Sequence, residues 1–304
     1  MKNHIRIETI RKPKGRSDIL YTLKKTGLDA GAHILLTHLE WDSRIFGFKI
    51  GRLAHTVTCL NDSERSSLFG KLLRDCEKRG YRHLHCRIGF DEVGLLHCLE
   101  DLGFNVADIQ LTLSTKGRFN GIARFHPSGP VSIRQAALSD MKDLRRVAKG
   151  AFTHTRFARD RRYPRADVDK MYSEWVSNSL HNAGQKVFSA YDGQERCVVG
   201  FVIVASGAAR EPGRKIGYID LIAVKNSARR RGIGTMLAAY ALNHIKGAAD
   251  LAEVRTQISN YAGIATFRKS GFTEIVPGCL LPAGISLHYW FNDRPRSETS
   301  ALSQ

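Results

Sequence analysis

The stretch IAVKNSARRRGIGTML, residues 222–237, decides how the rest of the chain is read. Ile222, Ala223 and Val224 close an apolar strand pattern that begins at KIGYIDL (215–221). A polar loop then runs through Arg229, Arg230, Arg231, Gly232, Ile233 and Gly234 to Thr235, where a helical pattern takes over. Glycines let a backbone approach a ligand closely, and the first N–H groups of a helix have no partner inside the helix. The helix dipole adds positive potential at that end, and arginines supply charge-assisted hydrogen bonds. This assembly suits a pyrophosphate. It is not the nucleotide loop GxxxxGK[ST], because no Lys-Ser/Thr pair follows the second glycine, and it lacks GxGxxG spacing. On spacing alone, a solvated basic run fits the same residues.

The chain has 304 residues, more than one ordinary core serves, so two domains are expected. The formal net charge is +18, which favours an anionic partner without choosing among nucleic acid, lipid surface and phosphorylated small molecule. No run of 18 apolar residues occurs, so no membrane span is expected. The polar, basic start MKNHIRIETIRKPKGR lacks the apolar centre of a secretion signal, so a cytoplasmic protein is expected. The cysteines at positions 59, 76, 86, 98, 197 and 279 have no CxxC spacing and read as reduced thiols. His83, His85 and Cys86 in RHLHCRI lack a second cluster and make a poor zinc site, so no metal is expected.

Along the chain, 1–33 reads as a loosely ordered basic arm and 34–115 as a small α/β unit. Residues 116–130, rich in Gly and Pro, read as a linker, 131–293 as the main domain and 294–304 as a disordered tail. Strand-like material is read to start at HILLTHLEWDS (33–43), with Asp42 and Gly47 making a turn. Two segments echo each other: CLEDLGF (98–104) and TFRKSGF (266–272) both end a helix at Gly-Phe. Both units carry helix, strand, helix, Gly-Phe and strand, so an internal repeat is expected, its first copy shorter and without the arginine-glycine loop.

ARRRGIG (228–234) resembles the Q/R-x-x-G-x-G/A signature of the GCN5-related N-acetyltransferases (GNAT), and NYAGIATFRKSGF (260–272) resembles that family's N-x-x-A-x-x-x-Y-x-x-x-G-F. In the second motif Gly263 stands for the usual Ala and Phe267 for the usual Tyr. The resemblance implies an α/β (α+β) GNAT fold: a mixed, mostly antiparallel central sheet flanked by helices, preceded by a smaller degenerate GNAT-like domain. It also implies acetyl-CoA as co-substrate, held by Ile222, Ala223, Val224, Arg229, Arg230, Arg231, Gly232, Ile233, Gly234, Thr235, Asn260 and Phe267. Backbone groups near Leu221 and Ile222 would then stabilise the oxyanion.

Tyr218 and Asp220 share a strand face by period-two alternation, along with Ile222 unless a bulge intervenes. Asp220 is the better candidate base by pKa, with Tyr218 a positioning or relay group. Phe267 cannot protonate a departing thiolate; it is read as packing beside the CoA sulfur, with water or Tyr261 supplying the proton.

LEWDSRIFGFKIGRL (39–53), AFTHTRFARDRRYPRADVDKMYSEWVSNSL (151–180) and VRTQISN (254–260) are similar to acetyltransferases of dTDP-4-amino-4,6-dideoxyhexoses, the dTDP-fucosamine type. That likeness implies a small anionic nucleotide-sugar acceptor contacted by Trp41, Asp42, Phe46, Arg156 and Asp160. Nucleic acid then becomes an unlikely partner, and a homodimer is compatible with the reading. The aromatic residues Trp41, Phe46 and Phe48 serve a core equally well, and the arginines of THTRFARDRRYPR (153–165) serve a solvated loop equally well. The competing readings are transfer to a peptide, aminoglycoside or polyamine amine, and a non-catalytic module that senses acyl-CoA or docks on nucleic acid.

Overall fold

The computed structural model describes residues 4–11, 17–24, 32–57, 59–115, 129–207, 215–273 and 284–291. The chain divides into two compact units, Met1–Ala107 with Ile285–Gln304, and Asp108–Gly284. Residues 116–128 of the expected linker at 116–130, the expected strand beyond Thr273, Cys279 and the expected tail at 294–304 lie outside the described residues.

In the first unit β1 (His4–Arg11), β2 (Ser17–Lys24), β3 (Ala32–His38) and β4 (Lys49–Thr56) pair antiparallel in succession. β4 then pairs parallel with β5 (Tyr81–Ile88). Residues 1–33, expected as a basic arm, thus carry two strands. Ile19, Tyr21 and Leu23 alternate inward and join Ala32, Ile34 and Leu36 in one core cluster, a pattern the surrounding charge obscured. β1 is an edge strand of this sheet, where charged side chains discourage further pairing.

Residues 39–43 are also corrected: α1 (Glu40–Phe46) begins where the strand was read to continue, and Gly47 ends it at φ 75°. α2 (Asp62–Lys78) and α3 (Val93–Asp101) complete the unit.

The last strand, β12 (Gly284–Trp290), was assigned to the main domain but pairs with β5 of the first unit. Leu287 packs in the cluster of Leu84 and Phe104, and the Tyr289 ring lies 5.1 Å from Phe104. Conversely β6 (Asn105–Ser114), which follows the first Gly-Phe, pairs with β11 (Leu251–Gln257) of the second unit.

The second unit's sheet runs β6, β11, β10 (Ile216–Val224), β9 (Cys197–Gly207), β8 (Gln185–Asp192), β7 (Val131–Gln135). Every pair is antiparallel except β10 with β11. Its helices are α4 (Met141–Ala148), α5 (Arg156–Arg159), α6 (Arg165–His181), α7 (Ile233–Lys246) and α8 (Tyr261–Lys269).

The register explains the two faces of this sheet, because aligned partners point the same way. Val204, Ile219, Val254 and Leu113 align across four strands and pack with Leu237, Leu242 and Ile245 of α7. Gly217 lets α7 come this close: a Cβ there would sit 2.4 Å from Ile245 Cγ2. One step along, Gln185, Ala205, Tyr218, Glu253 and Ser114 align on the opposite face.

The repeat is visible in both units as strand, helix, parallel strand, helix, then a left-handed glycine, Gly103 at φ 94° and Gly271 at φ 104°. Phe104 and Phe272 after them are buried. Among the described residues no helix is long and apolar enough to cross a membrane.

Candidate active site

β10 has one extra residue opposite β9: Ile219 aligns with Val204, and Leu221 already with Ile203. Asp220 is that bulge. It reverses the facing beyond it, so Ile222 and Val224 pack toward the α7 core while Leu221 and Ala223 join the face of Tyr218. Ile222 therefore does not share a face with Tyr218. The parallel ladder of β10 with β11 stops at Ile219 and Val254. Beyond it Arg255, Thr256 and Gln257 pair with β6, and Leu221 to Val224 pair with β9. The β10 edge toward β11 is left open over Leu221–Val224, the backbone groups expected to meet an acyl thioester.

At the end of this edge a short turn over Asn226–Ala228 leads into the arginine-glycine loop. Arg230 at φ 62° and Gly232 at φ 79° are both left-handed, a turn conformation that directs successive N–H groups outward. Gly232 caps α7 without any side-chain hydrogen bond, and the first turn of α7 holds no acidic residue. The N–H groups of Ile233, Gly234 and Thr235 thus meet the chemical demand of a phosphate group.

The corresponding helix of the first unit is closed. Asn61 and Glu64 of α2 make a reciprocal capping box, and Asp62 and Glu64 bring negative charge to its first turn. One copy can hold an anion at its helix start and the other has filled that place itself.

The three loop arginines differ in role. Arg230 is exposed. Arg229 returns its Nε to the Val224 carbonyl at 3.3 Å. Arg231 lies 2.8 Å from the carboxylate of Asp192, whose side chain is 1% exposed. Burial works to raise the Asp192 pKa, but Arg231 and the N–H groups of Glu195 and Gln194 hold it below the ordinary carboxylate value. Arg231 accordingly fastens the loop to β8 and is not a free phosphate ligand.

Asn260 caps α8 by accepting from Gly263 N at 3.1 Å, while its Nδ2 donates to Thr256 at 3.0 Å. Phe267, read as a neighbour of the CoA sulfur, is 3% exposed in the α7 core and stacks edge-on with Phe272 at 5.8 Å. It is a core residue, because the helix turns that position inward. Tyr261 of the same helix is 78% exposed.

The face opposite α7 carries the polar groups. Gln185 Nε2 donates to Asp220 at 2.7 Å. Asp220 as a residue is exposed, yet the protein packed around its carboxylate pushes its pKa above the ordinary value, against the Gln185 hydrogen bond and the charge of Arg255. Glu253, Arg255 and Gln257 of β11 align with Ser114, Thr112 and Gln110 of β6. Asp108, two residues before Gln110, accepts on Oδ2 from Gln110 Nε2 at 3.1 Å, from Arg156 N at 3.2 Å and from Gln257 Nε2 at 3.3 Å.

Arg156 stands at the start of α5, which Thr155 caps, with its guanidinium 4.3 Å from the Phe157 ring centre. Burial pushes the Tyr172 hydroxyl up to about 12, with Thr155 and Arg156 opposing. Asp160 was expected at the acceptor. It instead accepts from Arg162, from N at 3.1 Å and from Nε at 2.8 Å, locking the loop itself. Trp41, Asp42 and Phe46 lie on α1 of the first unit, with Phe46 buried and 6.2 Å from Phe48. Sequence reasoning missed Asp108, Gln110, Glu253 and Gln257. The signal was present: Asp108, Gln110, Thr112 and Ser114 alternate with Ile109, Leu111 and Leu113, a pattern that ordinarily means one wet face.

Comparison with known proteins agrees with this arrangement. Residues 143–272 match the model of the Acetyltransferase (GNAT) family. A solved GCN5-related N-acetyltransferase from Sphaerobacter thermophilus superposes with TM-score 0.61 at 10% identity, over 91% of this chain and 81% of that one. A tandem GNAT protein from the clavulanic acid biosynthesis pathway superposes at 0.56 with 12% identity, over 92% and 85%. The fold is that of the GNAT acetyltransferases.

Among curated relatives, N-alpha-acetyltransferase 30 of Xenopus laevis is 33% identical over 112 residues, 36% of this chain and 39% of that protein. The human protein of the same name is 33% identical over 112 residues, 36% of this chain and 30% of its own length. The chain thus spans well under half the length of the curated relatives it matches. GNAT enzymes use acetyl-CoA as co-substrate. Among the described residues no group of three or more His, Cys, Asp or Glu side chains is arranged to hold a metal ion.

Proposed function

We propose that this chain is an acetyl-CoA-dependent N-acetyltransferase. One observation carries the reading: the uncapped start of α7, with left-handed Arg230 and Gly232, adjoins the open edge of β10. Residues Ile233, Gly234 and Thr235 would hold the pyrophosphate through backbone N–H groups, and Leu221–Val224 the pantetheine arm and the developing oxyanion. Acetyl-CoA supplies the activated acyl group. Asp220, with its raised pKa, takes the proton of the attacking amine, held in place by Gln185. Positioning both reactants along one strand supplies much of the rate. The departing thiolate tolerates the absence of a protein acid at position 267, since alkyl thiols ionise near pH 8.5.

For the acceptor we favour a nucleotide-linked amino sugar of the dTDP-4-amino-4,6-dideoxyhexose type. The likenesses at 39–53 and 151–180 and the +18 charge support it. A peptide α-amine is the second reading, supported by the similarity to N-alpha-acetyltransferase 30. The test is thiol release from acetyl-CoA with dTDP-4-amino-4,6-dideoxyglucose and, separately, with a short peptide bearing a free N-terminus. Release with the sugar nucleotide supports the first acceptor, and release with the peptide alone supports the second. Release with neither, in protein that is folded by circular dichroism, refutes the enzyme reading.

A further inference from the structure

The carboxylate of Asp108 is used on one side only. The residue is 7% exposed, and three donors converge on Oδ2: the Gln110 side chain, the Arg156 backbone and the Gln257 side chain. Oδ1 is buried and has no hydrogen-bond donor among the described residues. Gln110 Oε1 is in the same condition, on a residue that is 5% exposed. Arg156 meets Asp108 through its backbone, and its guanidinium lies over Phe157. Asp108 and Gln110 thus each keep one buried acceptor atom without a donor, and the two side chains are joined through Gln110 Nε2 and Asp108 Oδ2.

A buried acceptor without a donor is costly, so native proteins keep few of them. They persist where a ligand supplies the missing hydrogen. Asp108 Oδ1 is left a desolvated acceptor on a strand whose Gln110, Thr112 and Ser114 align with Gln257, Arg255 and Glu253.

We infer that Asp108, with Gln110 beside it, is the specificity-determining residue for the acceptor: Oδ1 receives a hydrogen-bond donor, a hydroxyl or an N–H, that the acceptor carries next to its reacting amine. This inference rests on the acetyltransferase reading. It places acceptor recognition on β6.

The test compares Asp108→Asn and Asp108→Ala with the full-length parent. Asparagine is isosteric: its oxygen keeps the three donors, and its NH2 replaces Oδ1, turning an acceptor into a donor. Alanine removes the anchor altogether. Thiol release is measured with dTDP-4-amino-4,6-dideoxyglucose, which offers a hydroxyl beside its amine, and with a short peptide, which offers a backbone N–H beside its α-amine. Melting is measured in parallel. The inference predicts that Asp108→Asn lowers kcat/KM for whichever acceptor reacts at least tenfold, leaves KM for acetyl-CoA within twofold, and melts no lower than the parent. Asp108→Ala melts lower. Unchanged kcat/KM in Asp108→Asn overturns the inference, and so does a fall in melting temperature as large as that of alanine. If the parent transfers to neither probe, the enzyme reading fails on its own account. The melting comparison then decides whether Oδ1 is a vacant acceptor: a stable asparagine variant supports it and a destabilised one overturns it.

Discussion

Gly217 governs how closely α7 lies on β10, and thereby where the uncapped start of that helix stands. A Cβ at position 217 would meet Ile245 Cγ2 at 2.4 Å, Cγ1 at 2.9 Å and Cβ at 3.2 Å. Carbon atoms rest at about 3.5–4.0 Å, so Gly217→Ala forces a displacement of roughly 1 Å on a side chain that is buried in the core. Overpacking of this kind costs about 1–3 kcal/mol. For a domain of this size each kcal/mol lowers the melting temperature by about 2–4 °C.

The expected fall is therefore roughly 2–12 °C, read by thermal denaturation, with a weaker KM for acetyl-CoA as the start of α7 shifts. Ile245→Ala alone also destabilises, by opening a cavity. The double variant should be more stable than the sum of the two, because each change makes room for the other. An unchanged melting temperature in Gly217→Ala, or strict additivity in the double variant, would refute the close approach.

Four further outcomes follow. Asp220→Asn should lower kcat/KM by about 10²–10⁴-fold and remove the acid limb of its pH profile, since the working carboxylate form grows as pH rises through the raised pKa; a rate-pH profile checks both. A raised carboxyl pKa favours folding below the unfolded value and loses that contribution as pH climbs through the folded value, so at neutral pH Asp220→Asn should melt no lower than the parent. Phe267→Tyr should leave the rate unchanged and cost about 1–3 kcal/mol for its buried hydroxyl; a rate gain of tenfold would return position 267 to the active site. Burial pushes both the Cys76 and Cys86 thiols up to about 12, so iodoacetamide in the native protein should label exposed Cys59 before Cys76 and Cys86, as mass spectrometry of peptides would show.

Much of this was legible in the sequence, for definable reasons. The Gly232 and Gly234 spacing after an apolar strand marked the loop and the start of α7, because backbone freedom and helix polarity are local properties. The Gly-Phe repeats marked helix ends because a left-handed residue is also a local requirement. What sequence missed depended on pairing over distance. No local pattern says that β12 pairs with β5, or that β6 pairs with β11. The Asp220 bulge is defined only against β9, so the facing of Ile222 could not be read from alternation. Phe267 lay on the motif but faces the core, and Asp160 and Arg231 had charge but spend it on Arg162 and Asp192. The polar period of Asp108, Gln110, Thr112 and Ser114 looked like a wet strand face until the structure buried it.

The account stands most directly on the claim that the start of α7 binds the pyrophosphate of acetyl-CoA. Isothermal titration of the full chain with acetyl-CoA and with acetyl-pantetheine, which keeps the thioester and lacks the nucleotide, tests it. Charge-assisted hydrogen bonds contribute about 1.5–3 kcal/mol each, so acetyl-CoA should bind with saturation and at least tenfold more tightly than acetyl-pantetheine. Equal affinity for the two, or no binding of acetyl-CoA, would contradict the account.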